Sequence, residues 1–310
     1  MKINKPKFWS KKIGFISIIL LPISFLYLFL FFLKKKFTKT YTFKVPVICV
    51  GNIYIGGTGK TPISIRLANV LGELGKNPVI LRKYYSNHVD EYNLIQKSFK
   101  NLILNSNRAS GLKEAEQLKY RAVILDDGFQ DHSIKKNFNI VCFNQKQLIG
   151  NGLVLPSGPL RENISSLAYA DVVIINGDKD KNFENKILKF NKNLNIFYSN
   201  YKPINLEEFK NRRLLALAGI GNPDNFFEMI EKNSLKIEKR LVYPDHYKFS
   251  KNEIMKLINE AKINNYKIIM TEKDYFKIKN FNLDNIGYLK IELKIENQEK
   301  LIEIINNKIW

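Results

Sequence analysis

Residues 45–74 constrain the fold of this chain more than any other stretch. They begin with a short apolar run, residues 45–50, which has the length and the β-branched content of a buried strand. A glycine-rich loop follows and ends in Lys60 and Thr61, and an amphipathic run with Pro62 near its start then predicts a helix. A strand, a glycine-rich loop and a helix in this order favour a phosphate-binding loop in an α/β sheet.

The residue types in this loop suit the binding of a nucleoside triphosphate. Glycines allow consecutive backbone N–H groups to surround phosphate oxygens, and the start of a helix adds the positive end of its dipole. Lys60 would reach the β- and γ-phosphates, and the Thr61 hydroxyl would bind Mg²⁺. The strict motif requires a glycine five residues before Gly59, where this chain has Tyr54. The residues alone therefore leave open a glycine-rich turn followed by a chance Lys-Thr pair.

A second acidic element lies further along the chain. The apolar residues 122–125 run directly into Asp126 and Asp127. In a buried parallel strand, the last side chain emerges at the carboxyl edge of the sheet, beside bound phosphates. Together with the glycine-rich loop, this pattern predicts the second magnesium-binding element of a P-loop protein.

The other apolar runs predict an α/β protein with two lobes. Strand-like and helix-like runs alternate up to residue 175, the polar stretch 178–212 suggests a linker or covering segment, and a second alternation follows. We predict a P-loop NTPase-like domain with a parallel sheet at residues 37–205. A second, smaller α/β lobe at residues 206–310 is expected to close the active-site cleft.

The N-terminal region predicts a membrane anchor. Residues 13–33 carry no charge, and a helix of that length at ~1.5 Å per residue would span about 31 Å, the thickness of a bilayer core. A cleaved signal peptide would need a shorter apolar region and a small-residue cleavage site, but lysines occupy positions 34–36. We therefore predict one transmembrane helix within residues 1–36. Both flanks of this helix are basic, so the distribution of positive charge does not decide its orientation in the membrane. The nucleotide loop decides it, because that loop must face cytosolic ATP.

The composition narrows the possible partners. The chain has 50 Lys+Arg against 29 Asp+Glu, a net charge of +21, which reflects either compositional drift or attraction to anionic membrane lipid. Basic residues are not interleaved with aromatic residues in a nucleic-acid-reading pattern, so we expect no nucleic acid partner. Cys49 and Cys142 fall in predicted buried strands and are expected to be reduced thiols.

An ordered set of seven motifs resembles the tetraacyldisaccharide 4′-kinase family of lipid A biosynthesis. Nearly the whole chain is covered by VGNIYIGGTGKTP, DDGFQ, GNGLVLPSGPLRE, ADVVIING, AGIGNP, YPDH and TEKD. The resemblance implies a two-lobed P-loop kinase, anchored in the inner (cytoplasmic) membrane, whose catalytic domains face the cytoplasm. It implies transfer of the γ-phosphate of ATP to the 4′-hydroxyl of a tetraacylated glucosamine disaccharide 1-phosphate, with Mg²⁺. We expect a monomer.

The resemblance also implies roles for individual residues. Asp90 would activate the sugar hydroxyl, His246 would pair with it, and an aspartate can accept a hydroxyl proton as the loose transition state passes. Without the motif, His246 would be read as a loop histidine bonded to backbone. The implied catalytic residues are Asp90, His246, Lys60, Asp126 and Asp127. The implied ATP-binding residues are Tyr54, Ile55, Gly56, Gly57, Thr58, Gly59, Lys60, Thr61 and Arg161, and the implied metal ligands are Thr61, Asp127 and Glu162.

Three departures from the family pattern affect loops near the site. Lys83 and Val89 stand where the family has glycine, and Asp131 stands where it has histidine, with His132 one place later. Two other functions remain open from the sequence: a membrane-anchored P-loop NTPase switch, and a non-catalytic nucleotide-binding protein. Acceptor-dependent consumption of ATP would separate the kinase from both.

Overall fold

The chain divides into two compact units. The computed structural model describes residues 6–86, 89–221, 223–245, 247–281, 283 and 285–310, with Asp90 described for its backbone only. The first unit runs up to Asn200 and resumes at Leu293–Trp310, and the second unit is Tyr201–Glu292.

Within the described ranges, the chain forms helices and strands in alternation. The α-helices are α1 (Phe15–Ile19), α2 (Leu21–Phe37), α3 (Lys60–Glu73), α4 (Val89–Ser98), α5 (Arg108–Gln117), α6 (Lys181–Leu188), α7 (Pro223–Lys232), α8 (Lys251–Ile263), α9 (Glu272–Ile278) and α10 (Gln298–Ile309). The strands are β1 (Val47–Gly51), β2 (Pro78–Lys83), β3 (Leu102–Asn105), β4 (Ala122–Asp126), β5 (Phe138–Asn144), β6 (Val172–Asn176), β7 (Asn195–Pro203), β8 (Arg213–Ala218), β9 (Ile237–Val242), β10 (Tyr266–Thr271), β11 (Ile286–Leu289) and β12 (Ile291–Ile295).

The first unit is built on an eight-stranded sheet in the order β12-β7-β6-β5-β1-β4-β2-β3. Strand β1 pairs in parallel with β4 on one side and β5 on the other. Its register places Val50 opposite Asp126. The ends of β1 and β4 therefore meet at the same edge of the sheet, as predicted from the two motifs, and the expected parallel α/β sheet is confirmed.

Apolar spacing explains why α3 packs on this sheet. Ile63, Leu67 and Leu71 recur every four residues and are completely buried, which is the pattern of a helix with one core-facing stripe. At the end of β1, a Cβ on Gly51 would lie 2.5 Å from the Cβ of Phe129. Glycine is required there because the segment after β4 passes directly against the strand. Cys49 and Cys142 are buried free thiols, as expected.

Two predictions about chain organisation differ from the structure. The stretch 178–212 was expected to be a linker or cover, but it supplies α6 and β7, and β7 pairs in parallel with β6. The second lobe was expected to extend to residue 310, but residues 293–310 belong to the first unit. Within that unit, Glu296 N–H donates to the carbonyl of Tyr198 (2.8 Å), and Arg66 Nε donates to Gln298 Oε1 (2.7 Å).

The second unit contains a four-stranded sheet in the order β11-β10-β8-β9, with parallel pairing throughout. Helix α8 begins at a capping box, in which Ser250 and Glu253 bond reciprocally to each other's backbone N–H groups. At the carboxyl edge, the buried Asp274 accepts hydrogen bonds from Gly219 N–H (2.7 Å) and Thr271 Oγ1 (2.7 Å). The AGIGNP and TEKD motifs are thereby joined by one carboxylate.

The predicted transmembrane helix is wrong. Residues 13–33 do not form one helix, because α1 ends at Ile19 and α2 begins at Leu21 with Pro22 in its first turn. Helix α2 has 17 residues, and its last turn contains three lysines, so its apolar part is about 20 Å long at ~1.5 Å per residue. Among the described residues, no helix has both the length and the apolar character needed to cross a bilayer.

Candidate active site

The glycine-rich loop lies between β1 and α3, where the sequence predicted it. Gly59 precedes α3 in the left-handed conformation (φ 83°), and Gly56 also has a positive φ of 138°, so both positions favour glycine. Thr58 is 1% exposed, and its hydroxyl has no hydrogen-bond partner. A buried hydroxyl without a partner beside a helix N-terminus fits a loop that is completed by a phosphate oxygen.

Tyr54 and Ile55, at the start of this loop, contribute to its support. The Tyr54 ring is buried against Phe143, and its hydroxyl accepts a hydrogen bond from Asn144 N–H (2.7 Å). Ile55 N–H donates to the carbonyl of Pro159 (2.9 Å). The Tyr54 side chain therefore faces the core, which explains how a large residue is tolerated where the strict motif has glycine.

Asp126 forms a buried cluster at the end of β4. Its carboxylate accepts hydrogen bonds from Thr61 Oγ1 (3.0 Å), Ser64 Oγ (3.2 Å) and the Arg82 guanidinium. Burial raises the pKa of Asp126, while Arg82 opposes that shift. Because arginine stays protonated in proteins and donates directly to Asp126, the pair is a carboxylate with a guanidinium at neutral pH. The cluster joins α3, β2 and β4.

Asp127 carries the exposed negative charge of the site. It adopts a left-handed backbone conformation (φ 59°) that non-glycine residues seldom occupy. Its Oδ1 atom lies 3.5 Å from both Lys60 Nζ and Arg161 Nη1, and its carbonyl accepts a hydrogen bond from Arg108 Nη2 (2.6 Å). Burial alone would raise the pKa of Asp127, but Lys60, Arg161 and Arg108 together bring it below the usual value.

Glu162 lies on the side of the site that faces α2. It is 4% exposed, and its Oε1 atom has no hydrogen-bond partner. Burial raises its pKa, which Gln130 and Lys35 partly oppose. The neighbouring Arg161 is held by its backbone, because its N–H donates to Ile53 (2.7 Å) and its carbonyl accepts from the Tyr27 hydroxyl (3.0 Å).

The predicted metal ligands do not form a preassembled carboxylate cage. Among the described residues, no group of three or more His, Cys, Asp or Glu side chains could hold a metal ion. Mg²⁺ beside a triphosphate usually takes one or two protein oxygens and completes its shell with phosphate and water. The Thr61 hydroxyl at the start of α3 and the Asp127 carboxylate directly after β4, with Glu162 as the third predicted ligand, fit that smaller requirement.

The predicted hydroxyl-activating pair is Asp90 and His246. Asp90 is the second residue of α4, and its side chain is outside the described part of the structure. His246 also lies outside the described residues. Their pairing stays a prediction.

The three departures from the family pattern fall at the end of β2, the start of α4 and the segment after β4. Lys83 is the last residue of β2 and Val89 the first residue of α4. Asp131 accepts hydrogen bonds from Ser133 Oγ (2.5 Å) and Arg108 Nη1 (3.0 Å). Arg108 therefore joins Asp131 to the carbonyl of Asp127, so the substituted residue helps to hold the turn after β4.

Sequence reasoning assigned no role to four further residues: Arg82, Ser64, Arg108 and Glu91. Each of the first three donates a hydrogen bond to Asp126 or Asp127, and Glu91 accepts one from Arg82. Arg82 donates to Asp126, to Thr61 Oγ1 (2.9 Å) and to Glu91. An arginine at the end of a predicted buried strand is an available signal, because a guanidinium is seldom buried without carboxylate partners.

Comparison with known proteins identifies relatives along the whole chain. A family model described as tetraacyldisaccharide-1-P 4′-kinase matches residues 16–310. A tetraacyldisaccharide 4′-kinase of Pelagibacter ubique (strain HTCC1062) is 43% identical over 97% of this chain and 96% of its own length. A protein of the same name from Rickettsia bellii (strain OSU 85-389) is 34% identical over 99% of both chains.

A solved structure has a similar fold. The "apo" form of LpxK from Aquifex aeolicus, in complex with ATP, superposes with a TM-score of 0.74 at 25% sequence identity. The match covers 96% of this chain and all of that one. The similarity therefore extends beyond the phosphate-binding loop to the whole architecture.

Proposed function

We propose that this chain, which belongs to the tetraacyldisaccharide-1-P 4′-kinase family, transfers the γ-phosphoryl group of ATP to the 4′-hydroxyl of a tetraacylated disaccharide 1-phosphate lipid. The observation that carries the proposal is the match to that family over residues 16–310. The geometry supports it: a glycine-rich loop, a lysine and two aspartates meet at one edge of a parallel sheet.

The triphosphate would bind along the loop before α3. A Cβ added to Gly57 would meet no atom within 4 Å, so there is open space beside the loop for phosphate oxygens. The Thr58 hydroxyl would gain the partner that it lacks. Lys60 and Arg161, both beside Asp127, would place positive charge where negative charge accumulates on the transferring group.

The proposed magnesium ion would be held by Thr61 and by carboxylate oxygen from Asp127, with Glu162 as a further candidate. When bound, Mg²⁺ supplies charge neutralisation to the phosphate oxygens. The protein's own contribution is to keep these groups fixed before substrates arrive. Asp126 accepts hydrogen bonds from Thr61 and Ser64, which sets the rotamer of the Thr61 hydroxyl.

Asp90 is the proposed general base. It lies in the first turn of α4, immediately before Glu91, whose carboxylate accepts from Arg82. A carboxylate at that position would take the proton of the sugar hydroxyl as the bond to phosphorus forms. His246 is proposed to orient it.

Transfer to the lipid is the direct test. Purified protein is incubated with ATP radiolabelled at the γ-phosphate, Mg²⁺ and the tetraacylated disaccharide 1-phosphate, and products are separated by thin-layer chromatography. We expect label in the lipid and negligible ATP loss when the lipid is omitted. ATP hydrolysis that is independent of the lipid would indicate an NTPase, and nucleotide binding without turnover would indicate a binding protein.

Anionic membrane lipid is a second proposed partner, supported by the net charge of +21. Attraction between lysines and anionic headgroups is screened within about 10 Å at 0.1 M salt. We expect sedimentation with vesicles containing anionic phospholipid to fall as NaCl is raised, and to be weak with neutral vesicles at any salt. Binding that does not change with salt would contradict this proposal.

We also propose that one chain suffices for activity.

A further inference from the structure

The guanidinium of Arg82 connects three elements of the first unit. Arg82 lies near the end of β2, and its side chain is only 10% exposed. Nη1 donates to Asp126 Oδ2 and to Thr61 Oγ1 (2.9 Å), and Nη2 donates to Glu91 Oε2. The planar fork thus reaches α3 and β4 on one side and the first turn of α4 on the other.

The charges show why this arginine is held so firmly. Burial opposes the charged form of Arg82, but Asp126 and Glu91 outweigh it and raise its pKa. Removing either carboxylate leaves the guanidinium with a single acidic partner in a poorly solvated position. The contact of Arg82 with Asp126 and its contact with Glu91 therefore depend on each other.

We infer that Arg82 is a positioning residue that couples occupancy of the phosphate loop to the first turn of α4. The coupling would pass through one atom, Thr61 Oγ1. Thr61 Oγ1 donates its proton to Asp126 and accepts from Arg82 Nη1, and a hydroxyl oxygen has only two acceptor positions. An electron-withdrawing ligand at the second acceptor position of Thr61 Oγ1 would leave the oxygen a weaker acceptor from Arg82, which changes the balance between the contacts of Arg82 with Asp126 and with Glu91.

The consequence concerns the residue before Glu91, so this part rests on the proposed function of Asp90 as the base. By linkage, a nucleotide that changes the placement of α4 is itself bound differently when α4 is displaced. The coupling would hold the first turn of α4, which carries Asp90, in its catalytic position relative to the glycine-rich loop only when nucleotide is bound.

A second attachment of α4 supplies a matched control. The Tyr92 hydroxyl accepts from Tyr85 N–H (2.5 Å) and donates to the carbonyl of Tyr85 (3.0 Å). This attachment holds α4 to the segment after β2 through neither Thr61 nor Asp126. Tyr92→Phe should therefore loosen α4 without interrupting the route through Arg82.

The experiment measures amide hydrogen exchange in α4 with and without a non-hydrolysable ATP analogue and Mg²⁺. It compares wild type with Glu91→Gln, Glu91→Ala, Tyr92→Phe and, as a distant control, Arg121→Ala, whose side chain is exposed. The Glu91 side chain is 36% exposed, so variants at this position are expected to fold. A variant of Arg82, by contrast, would leave the Asp126 carboxylate buried without its guanidinium partner. The melting temperature of each variant shows whether it is folded.

We expect the analogue to slow exchange in α4 of wild type, Tyr92→Phe and Arg121→Ala, and to leave exchange in Glu91→Ala unchanged, with Glu91→Gln intermediate. In transfer assays, kcat of Glu91→Ala should fall about 10- to 100-fold, and the Kd for the analogue should rise about fivefold or more because the coupling is reciprocal, while both stay within about threefold of wild type in Arg121→Ala. A role limited to stability would lower the melting temperature of Glu91→Ala and leave its Kd for the analogue unchanged.

Two results would overturn the inference. One is an exchange response in Glu91→Ala equal to that of wild type, and the other is an α4 that does not respond to nucleotide in wild type. Because the exchange arm needs no lipid acceptor, absence of transfer by wild type would refute the proposed function while exchange still decides the coupling.

Discussion

At the scale of single residues, two neighbouring aspartates are held in different ways. Asp126 is completely buried and bonded to Thr61, Ser64 and Arg82, whereas the Asp127 side chain is 34% exposed and faces Lys60. The first fixes the geometry of the loop and helix around it. The second presents charge at the edge where the phosphates are proposed to bind.

Lys60 provides the first test at this scale. Lys60→Ala should lower phosphate transfer at least 100-fold, because the ammonium group is proposed to contact the triphosphate and to stabilise charge in the transition state. The fold should be kept, since the side chain pairs with Asp127 and lies outside the core. Radiolabel transfer measures the loss. Lys113→Ala, on the exposed side of α5, is the matched control, and a Lys60 variant with more than a tenth of wild-type activity would contradict the role.

Asp127 provides a pH-dependent test. Its pKa is lowered in the folded protein by Lys60, Arg161 and Arg108, against burial, which raises it. A lowered folded-state pKa contributes stability that is present above the unfolded pKa of about 3.9 and is lost as pH falls through the folded value. The free energy of unfolding of wild type should therefore exceed that of Asp127→Asn above pH 4, and the difference should shrink below it. Urea unfolding between pH 3 and pH 7 measures the free energy of unfolding of both proteins. A difference between them that does not change with pH would contradict the lowered pKa of Asp127.

At the scale of elements, the N-terminal helices are attached by their polar residues. Ser24 Oγ donates to the carbonyl of Val154 (2.9 Å) and accepts from Ser157 N–H (3.1 Å), and Trp9 Nε1 donates to the carbonyl of Pro156 (3.0 Å). Large apolar side chains of α1 and α2, including Phe15 and Phe25, are mostly exposed. The long glycine- and proline-rich loop after β5 is thus the support of these helices, a role not predicted from its sequence.

Ser24 tests this attachment. Ser24→Ala removes a buried hydroxyl and leaves Ser157 N–H without its partner, which costs about 1–2 kcal/mol. Protection of α2 amides against hydrogen exchange should fall about 5- to 30-fold. Ile23→Ala, at the adjacent position that is 53% exposed, is the control and should change protection little. Equal effects of the two substitutions would show that α2 is held by apolar packing.

At the scale of the whole molecule, the chain leaves its first unit after residue 200 and returns at residue 293. The returning segment supplies β12 and α10. Leu301 and Ile305 of α10 are completely buried, and Lys308 forms an ion pair with Asp171. The C-terminal helix is therefore part of the core of the first unit.

Ile305→Ala tests the return of the chain. Loss of a buried isoleucine side chain costs about 2–5 kcal/mol of stability, and here the loss should fall on the first unit. Chemical denaturation followed by amide exchange should show weakened protection in β5 and β6. Lys300→Ala, exposed on the same helix, should leave protection unchanged. Weakening confined to residues 201–292 would contradict the division of the chain.

The sequence by itself determined the glycine-rich loop, the strand before it, the helix after it and the acidic pair at the end of β4. Each depends on residues adjacent in the chain, whose spacing is enough to specify a strand, a turn or a helix start. Parallel pairing then brings β1 and β4 together, because strands this apolar must be buried on both faces. The glycine-rich loop from Gly56 to Thr61 could therefore be located in advance, while its binding of ATP stays a prediction.

Only the tertiary structure decided what lies beside them. Arg82 joins residues that are 21, 44 and 9 positions away, and spacing along the chain does not encode which carboxylates a buried guanidinium meets. The apolar run at residues 13–33 satisfies a length criterion for a bilayer, yet it forms two helices whose serines bond to a loop more than 120 positions away. The last eighteen residues look like the end of a second lobe, but their buried face belongs to the first unit. Long-range packing and hydrogen bonding fix these features, because the burial of a side chain depends on elements that are distant in sequence.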